Sequence, residues 1–266
     1  MKDISSTASF VDFTLENFIY VDKTEYIPKL VKLKRVFISR PRRFGKSLTL
    51  DTIGTLFEKG VEPYFKDTWI YDKWTEPTYP VFRLSFLNLD NSSLDLFKKQ
   101  LNSIISEFAN KINVKGYVKK TEPEDSILSL LEKLEEETRQ IVILIDEYDY
   151  QLTSNINNDA LYKQFQQKIK RFYANIKDKF AIKFLGITGV TRLKDVEIFS
   201  IGSDINDITN CSPYSQMIGF TRDEIKKYYI DYLKLAASYE NNCTVDNVTE
   251  AQIESLLDRL AKNYDG

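Results

Sequence analysis

Histidine is missing from this 266-residue chain, and cysteine is limited to Cys211 and Cys243. The absence of histidine excludes the commonest general base and the commonest metal ligand, so any chemistry must use carboxylates, lysine, arginine, tyrosine or hydroxyl groups. Two cysteines are too few for the disulfide framework of a small secreted protein. We therefore expect a cytoplasmic protein.

Long apolar runs are also absent. No stretch approaches the roughly 18 uncharged apolar residues of a membrane span, and the opening residues contain no apolar core of a signal peptide. The net charge of -2 at pH 7 argues against a broad, non-specific polyanion binder, although it permits a local basic patch. The length allows one large domain, or one such domain with a small appendage.

Short apolar runs alternate with helical patterns along the chain. Five consecutive apolar residues, 141–145, are typical of a central strand covered on both faces of a parallel sheet. Residues 46–58 have the apolar spacing of a helix. The alternation predicts an α/β fold with a mostly parallel, doubly wound sheet. The other predicted strands are 35–39, 81–86 and 182–188, and the other predicted helices are 94–112, 126–137, 161–176, 222–235 and 250–262.

No strand is predicted between the last two helices. We expect residues 1–212 to form the core domain and residues 213–266 to form a helical lid extension, with the boundary near Ser212–Pro213. The chain stops at residues 264–266 without a polar tail. This abrupt end predicts a truncated extension.

A phosphate-binding loop is predicted at Gly45-Lys46-Ser47, between a strand and a helix. Backbone N–H groups at a helix N-terminus bind phosphate, a lysine reaches the β- and γ-phosphates, and a hydroxyl group ligates Mg²⁺. Arg40 replaces the first glycine of the usual pattern. Seven basic residues and no acid lie between Lys32 and Lys46, which fits an anion site for a nucleotide or a nucleic-acid backbone better than the alternative, a solvated basic face. The residues predicted to bind the nucleotide are Arg42, Arg43, Phe44, Gly45, Lys46 and Ser47.

Carboxylates follow the apolar strand 141–145 directly. Asp146 would lie at the ligand-binding edge of a parallel sheet and hold Mg²⁺ together with Ser47. Glu147 is the predicted general base for the attacking water, with Asp149 as the next candidate. The alternative is an acidic turn, which ends many apolar strands.

The strand 182–188 ends in polar residues. Thr188 is predicted to sense the γ-phosphate or position water, and Arg192 to offset charge on the transferred phosphoryl group. A solvated turn is the alternative for both residues. With Lys46 and Glu147, Thr188 completes the predicted catalytic set.

These motifs resemble the bacterial and archaeal predicted AAA-ATPase-like family, whose members often carry a C-terminal PD-(D/E)XK-type nuclease domain. The resemblance rests on segments spread from about residue 10 to the end of the chain: 20–24 (YVDKT), 39–47 (SRPRRFGKS), 144–149 (LIDEYD), 188–191 (TGVT), 219–224 (GFTRDE) and 264–266 (YDG). It implies a P-loop ATPase core with a helical extension, an arginine at position 40, and ATP as the nucleotide. The nuclease domain would begin beyond Gly266, and the resemblance implies a lysine where Arg192 stands.

Residues 20–24 precede the first strand. They are expected to cover the base or brace the phosphate loop. The alternative is a structural turn in which Asp22 caps a helix over about residues 23–31.

The sequence as a whole predicts a Mg²⁺-dependent ATPase that couples its nucleotide state to nucleic acid or to an attached nuclease. Two alternatives remain open. One is a nucleotide-binding regulatory module with little turnover, and the other is a nucleic-acid-binding protein that uses the arginine cluster. Assembly into a homo-oligomer is also left open.

Overall fold

Five strands form one sheet in the computed structural model, which describes residues 2–192 and 205–263. The strand order is β2-β3-β4-β1-β5, and every neighbouring pair is parallel. The predicted α/β fold with a parallel sheet is confirmed. The strands are β1 Arg35–Ser39, β2 Val81–Ser85, β3 Ile141–Asp146, β4 Ile182–Gly189 and β5 Asn206–Asp207.

The helices predicted over residues 46–58, 94–112, 126–137, 161–176 and 250–262 are all present, with ends within three residues of the prediction. Several helices have an N-cap side chain. Those of Ser93, Asn158 and Thr221 each accept a hydrogen bond from a backbone N–H in the first turn of the helix that follows. The helices are α1 Phe10–Leu15, α2 Ile27–Leu33, α3 Lys46–Lys59, α4 Leu94–Lys111, α5 Pro123–Glu136, α6 Tyr150–Ser154, α7 Asp159–Ile176, α8 Arg222–Tyr228, α9 Ile230–Glu240 and α10 Glu250–Asn263.

The structure differs from the prediction in short elements. The single helix predicted over residues 222–235 is two helices, because the backbone of Tyr229 leaves the helical region at φ -115°, ψ 19°. Three further elements, α1, α6 and β5, have six, five and two residues and were not predicted. Such lengths are too short to show a helical or strand period.

Both faces of the sheet are covered. In β3, Ile141, Ile143 and Ile145 pack on one side with α4, α5 and α7. Val142 and Leu144 pack on the other side with α2 and α3. The continuous apolar run of this strand is therefore explained by burial on two faces. The N-terminus of α3 and the carboxyl end of β3 meet at one edge of the sheet, where the candidate site lies.

The C-terminal helices have an apolar cluster of their own. It is formed by Leu233 of α9 and by Ile253, Leu256 and Leu257 of α10. Residues 264–266, one of the segments that carried the resemblance, lie outside the described residues. Within residues 2–192 and 205–263, no helix has the length and apolar character needed to cross a membrane.

Candidate nucleotide site

The loop between β1 and α3 turns without a glycine at position 40. Positive φ angles occur at Arg43 (68°) and Gly45 (90°), whereas Arg40 has no positive φ. Gly45 precedes the first residue of α3, and its left-handed backbone is one that glycine adopts without strain. The replacement of the usual first glycine by arginine is therefore compatible with this turn.

The Arg40 side chain is part of the fold. Its Nη1 donates to the carbonyl oxygen of Thr209 at 2.5 Å and to that of Ser39 at 3.2 Å. The backbone N–H of Ser39 in turn donates to Thr209 Oγ1 at 3.0 Å. These bonds tie the start of the loop to the segment that follows β5.

Lys46 lies inside the loop, with 6% of its surface exposed. Its Nζ donates to the carbonyl oxygens of Arg40 and Pro41, both at 2.8 Å. Burial lowers the pKa of Lys46, and the negative charges of Asp146 and Glu147 oppose that effect. The ammonium group is thus enclosed by the loop and is not part of a solvated basic face.

Two of the predicted site residues, Ser47 and Thr188, meet at a third, Asp146. The Ser47 hydroxyl donates to Asp146 Oδ2 at 2.5 Å, and the Thr188 hydroxyl donates to Asp146 Oδ1. Thr188 is 1% exposed and sits near the end of β4, beside Ile38 of β1. Because neighbouring parallel strands end at the same edge, β3 and β4 bring this carboxylate and this hydroxyl into contact.

Glu147 has an unusual environment. Its backbone is left-handed, with φ 51°, and its Oε2 is buried with no hydrogen-bond partner among the described residues. Burial, followed by the charge of Asp146, raises the pKa of Glu147, while the charges of Arg42 and Lys46 oppose the shift. A carboxylate with a raised pKa and a free oxygen is suited to accept a proton.

The other predicted binding residues lie on the exposed part of the loop. Arg42 and Arg43 are exposed, and the charge of Arg42 acts on both Lys46 and Glu147. Phe44 is 38% exposed, and its carbonyl oxygen accepts a hydrogen bond from Gly219 N at 3.1 Å. The loop is therefore in direct contact with the C-terminal part of the chain.

Asp149 fixes the segment after β4. It is 1% exposed, and its Oδ2 accepts hydrogen bonds from the backbone N–H groups of Val190 at 3.1 Å and Thr191 at 2.5 Å. The Tyr148 hydroxyl donates to the carbonyl oxygen of Thr191 at 3.1 Å. The carboxylate of Asp149, the next candidate for the base from the sequence, is thus held by backbone N–H groups and positions the segment next to Thr188. Arg192, which follows this segment, is exposed.

We expect Asp149→Asn to destabilise the protein by roughly 1.5–3 kcal/mol. The backbone donors lose a charged acceptor, because the amide replaces one carboxylate oxygen with an NH2 group, which donates. Thermal unfolding measures the change. Asp178→Asn, at an exposed position, is the matched control and should leave the Tm unchanged. Equal Tm values for Asp149→Asn and the wild type would contradict the positioning role.

Two distant segments that carried the resemblance are joined by Lys23. Its Nζ forms an ion pair with Glu224 and donates to the carbonyl oxygen of Gln216 at 2.7 Å. Glu224 also completes a capping box with Thr221 at the start of α8. Residues 20–24 therefore brace the chain around residues 216–224, which also contacts the phosphate loop.

Asp22 holds a turn, as the structural alternative proposed. Its Oδ1 accepts from Thr24 N at 2.9 Å and Thr24 Oγ1 at 2.7 Å, and its Oδ2 accepts from Trp69 N at 2.6 Å. The predicted helix over residues 23–31 is instead a 3₁₀ turn, Thr24–Tyr26, followed by α2.

A cavity of about 780 Å³ lies elsewhere, between the N-terminal segment, residues 63–69 and helices α8 and α9. Its lining includes Tyr20, Asp22, Trp69 and Tyr228. No residue of the loop 40–47 lines it in the described part of the chain. The candidate site is thus defined by its loop and its strand ends and not by this cavity.

The parallel sheet, the strand–loop–helix unit with an enclosed lysine, and the carboxylate at the end of β3 are those of a P-loop nucleoside-triphosphatase fold. A family model described as "Predicted AAA-ATPase" matches residues 5–199, and the chain belongs to this AAA-ATPase-like family. Membership implies nucleotide binding.

An uncharacterized protein from the vnfD 5' region of Azotobacter chroococcum mcd 1 is similar to the chain, with 29% identity over 247 residues. The match covers 82% of this chain and 45% of that protein, so the chain spans less than half the length of this relative. No solved structure matches the chain.

Proposed function

We propose that the chain binds ATP with Mg²⁺ at residues 40–47 and hydrolyses it. The observation that carries this proposal is the cluster at the end of β3. There, the hydroxyl groups of Ser47 and Thr188 both donate to Asp146, beside Glu147, whose Oε2 has no partner among the described residues. An acidic turn with a structural role alone would not require the enclosed lysine opposite it.

The charge distribution supports phosphate binding. Lys46 is the first residue of the 14-residue helix α3, whose N-terminus favours anions and disfavours cations. Arg42, Arg43 and Lys46 nevertheless concentrate positive charge there. Phosphate oxygens would offset this repulsion and accept hydrogen bonds from the N–H groups at the start of the helix.

The oxygen atoms of Ser47 and Asp146 fit magnesium. The structure has no group of three or more His, Cys, Asp or Glu that could hold a metal ion within residues 2–192 and 205–263. Magnesium in nucleotide sites uses one or two protein oxygens and completes its shell with phosphates and water. When bound, it would neutralise negative charge on the phosphates.

The protein residues have distinct roles in the proposed reaction. Glu147 orients a water molecule and accepts its proton on the carboxylate as the water oxygen attacks the γ-phosphorus. The bond from that phosphorus to the β,γ-bridging oxygen breaks, which releases ADP and inorganic phosphate. Lys46 exchanges its hydrogen bonds to the loop carbonyls for hydrogen bonds to phosphate oxygens, whose negative charge it stabilises. Thr188, held by Asp146, positions water or the γ-phosphate.

We further propose that residues 213–266 form a lid on the core of residues 1–212. The separate apolar cluster of α9 and α10 supports the division. The Gly219–Phe44 hydrogen bond and the Lys23–Glu224 ion pair support the position of the lid, since each joins the C-terminal part to the loop or its brace. Nucleotide binding at the loop would alter these contacts. The lid would thereby report nucleotide state to a partner, either nucleic acid or an attached nuclease.

Phosphate release by the purified chain tests the proposal. We expect release with Mg²⁺ and ATP, and none after chelation with EDTA. Bound ATP without release would instead favour a regulatory module with little turnover. No ATP binding, with nucleic acid bound at Arg42 and Arg43, would favour the nucleic-acid interpretation of the loop.

A further inference from the structure

We propose a second anion site, the lysine groove, that binds the phosphate backbone of nucleic acid. The groove is defined by Lys98 and Lys99 of α4 and by Lys119 and Lys120 of the loop between α4 and α5. Together with Asp95, Asn102 and Thr121, they line a depression of about 340 Å³. Six lysines and a single acid, Glu107, occur in residues 98–120 of a chain whose net charge is -2.

Most of the positive charge in the groove is not neutralised. Lys99, Lys119 and Lys120 form no ion pair with any residue in 2–192 or 205–263. Lys98 is the exception: it pairs with Glu122 at 2.6 Å, and Lys168, which shares Glu122, is also paired with Glu124. Asp95 is the one acid in the lining. The groove therefore keeps a positive potential that attracts polyanions.

Buried polar side chains hold the backbone that carries these lysines. Asn102 is 4% exposed, and its Nδ2 donates to the carbonyl oxygens of Lys120 at 3.0 Å and Thr121 at 2.9 Å. Ser126, which is fully buried, accepts from Lys120 N at 2.8 Å. The loop is thus fixed on α4 and α5 before any ligand arrives, which lowers the ordering cost of binding.

The chemistry of the groove fits phosphates better than an acidic peptide. Its lining has no aromatic or aliphatic residue that would hold a peptide side chain. Lysine ammonium groups bind phosphates as point charges without reading sequence. We therefore expect binding of nucleic acid that is insensitive to sequence and sensitive to salt.

The lysine groove is separate from the candidate nucleotide site. Helix α4 packs on one face of the sheet with α5 and α7, whereas α3, which follows the phosphate loop, packs on the opposite face. Binding of nucleic acid at the groove does not depend on the proposed ATPase function, so it is measured without nucleotide. Only an effect of that binding on ATP turnover would rest on the proposed function.

Fluorescence anisotropy with a labelled random-sequence DNA duplex tests the groove. Phosphate contacts from the three lysines without an ion pair in the described residues predict a slope of log Kobs against log salt of about -2 to -3, and a loss of affinity on the order of 50-fold between about 50 and 200 mM salt. We expect the double variant Lys119→Ala/Lys120→Ala to reduce the slope by about two and the affinity roughly tenfold. Far-UV circular dichroism checks its fold.

The matched control is Lys234→Ala/Lys262→Ala, which removes the same charge from exposed positions of α9 and α10. It should bind DNA as the wild type does. The proposal would be overturned by no DNA binding of the wild type at low salt, by an unchanged slope in Lys119→Ala/Lys120→Ala, or by equal competition from polyglutamate of matched charge. Loss of DNA binding in Arg42→Ala would assign the nucleic acid to the phosphate loop instead.

Discussion

Replacing Glu147 with glutamine is expected to preserve ATP binding and to reduce turnover by about 10²–10⁴-fold, the usual contribution of a positioned base. The amide keeps the shape of the side chain but cannot accept the proton of the attacking water. Single-turnover phosphate release measures the rate, and titration with Mg-ATP measures binding. Glu136→Gln, at an exposed position near the end of α5, is the matched control and should retain the full rate.

The pH dependence provides an independent check on Glu147. A base acts when deprotonated, so turnover is present above its pKa and is lost as the pH falls through it. Because burial and the charge of Asp146 raise the pKa of Glu147, the decline should begin at a higher pH than for an ordinary glutamate. Glu147→Gln should lack this acidic limb. A residual rate that keeps the same limb, or turnover within a few-fold of the wild type, would place the base elsewhere.

Lys46→Ala is expected to lose detectable ATP binding while the protein stays folded. Hydrogen bonds from charged donors contribute roughly 1.5–3 kcal/mol each, so losing two to phosphate oxygens weakens binding by at least about 100-fold. In the empty protein, the lost bonds to Arg40 and Pro41 are offset by the removal of a buried cation from a helix N-terminus.

Thermal unfolding with and without Mg-ATP measures this effect. Ligand at about 100 times its Kd stabilises the wild type by about 2.7 kcal/mol, which raises the Tm by roughly 5–10 °C. Lys46→Ala should show no such rise. Lys59→Ala, in the last turn of the same helix, is the matched control and should rise as the wild type does. Full ATP stabilisation of Lys46→Ala would refute the assignment of the phosphate loop.

The main elements of the fold could be predicted because each leaves a local signal. The run 141–145 identified β3, and the spacing of apolar residues identified α3, α4 and α7. The interruption at Tyr229 could not be predicted, since the apolar pattern continues across it. The two-residue strand β5 depends on pairing with Val36 and Phe37 of β1, a tertiary contact with no local signature.

In the candidate site, too, features with a local sequence signal could be predicted and contacts between distant segments could not. Contact between Ser47, Asp146 and Thr188 could be anticipated, because each follows or ends a strand of one parallel sheet. The Arg40–Thr209 and Lys23–Glu224 contacts could not, because their partners are about 170 and 200 residues apart in the chain. The positioning role of Asp149 was also missed. Its partners are backbone N–H groups, which nearly every residue has, so no residue type in the sequence points to them.

Equilibrium dialysis of radiolabelled ATP against the purified chain, with Mg²⁺ present, tests the central claim most directly. That claim is that residues 40–47 recognise the phosphates of a nucleotide. It predicts saturable retention of ATP at a single class of site, displaced by excess ADP but not by adenosine at the same concentration. Absence of retention at millimolar ATP, or equal displacement by adenosine, would contradict it.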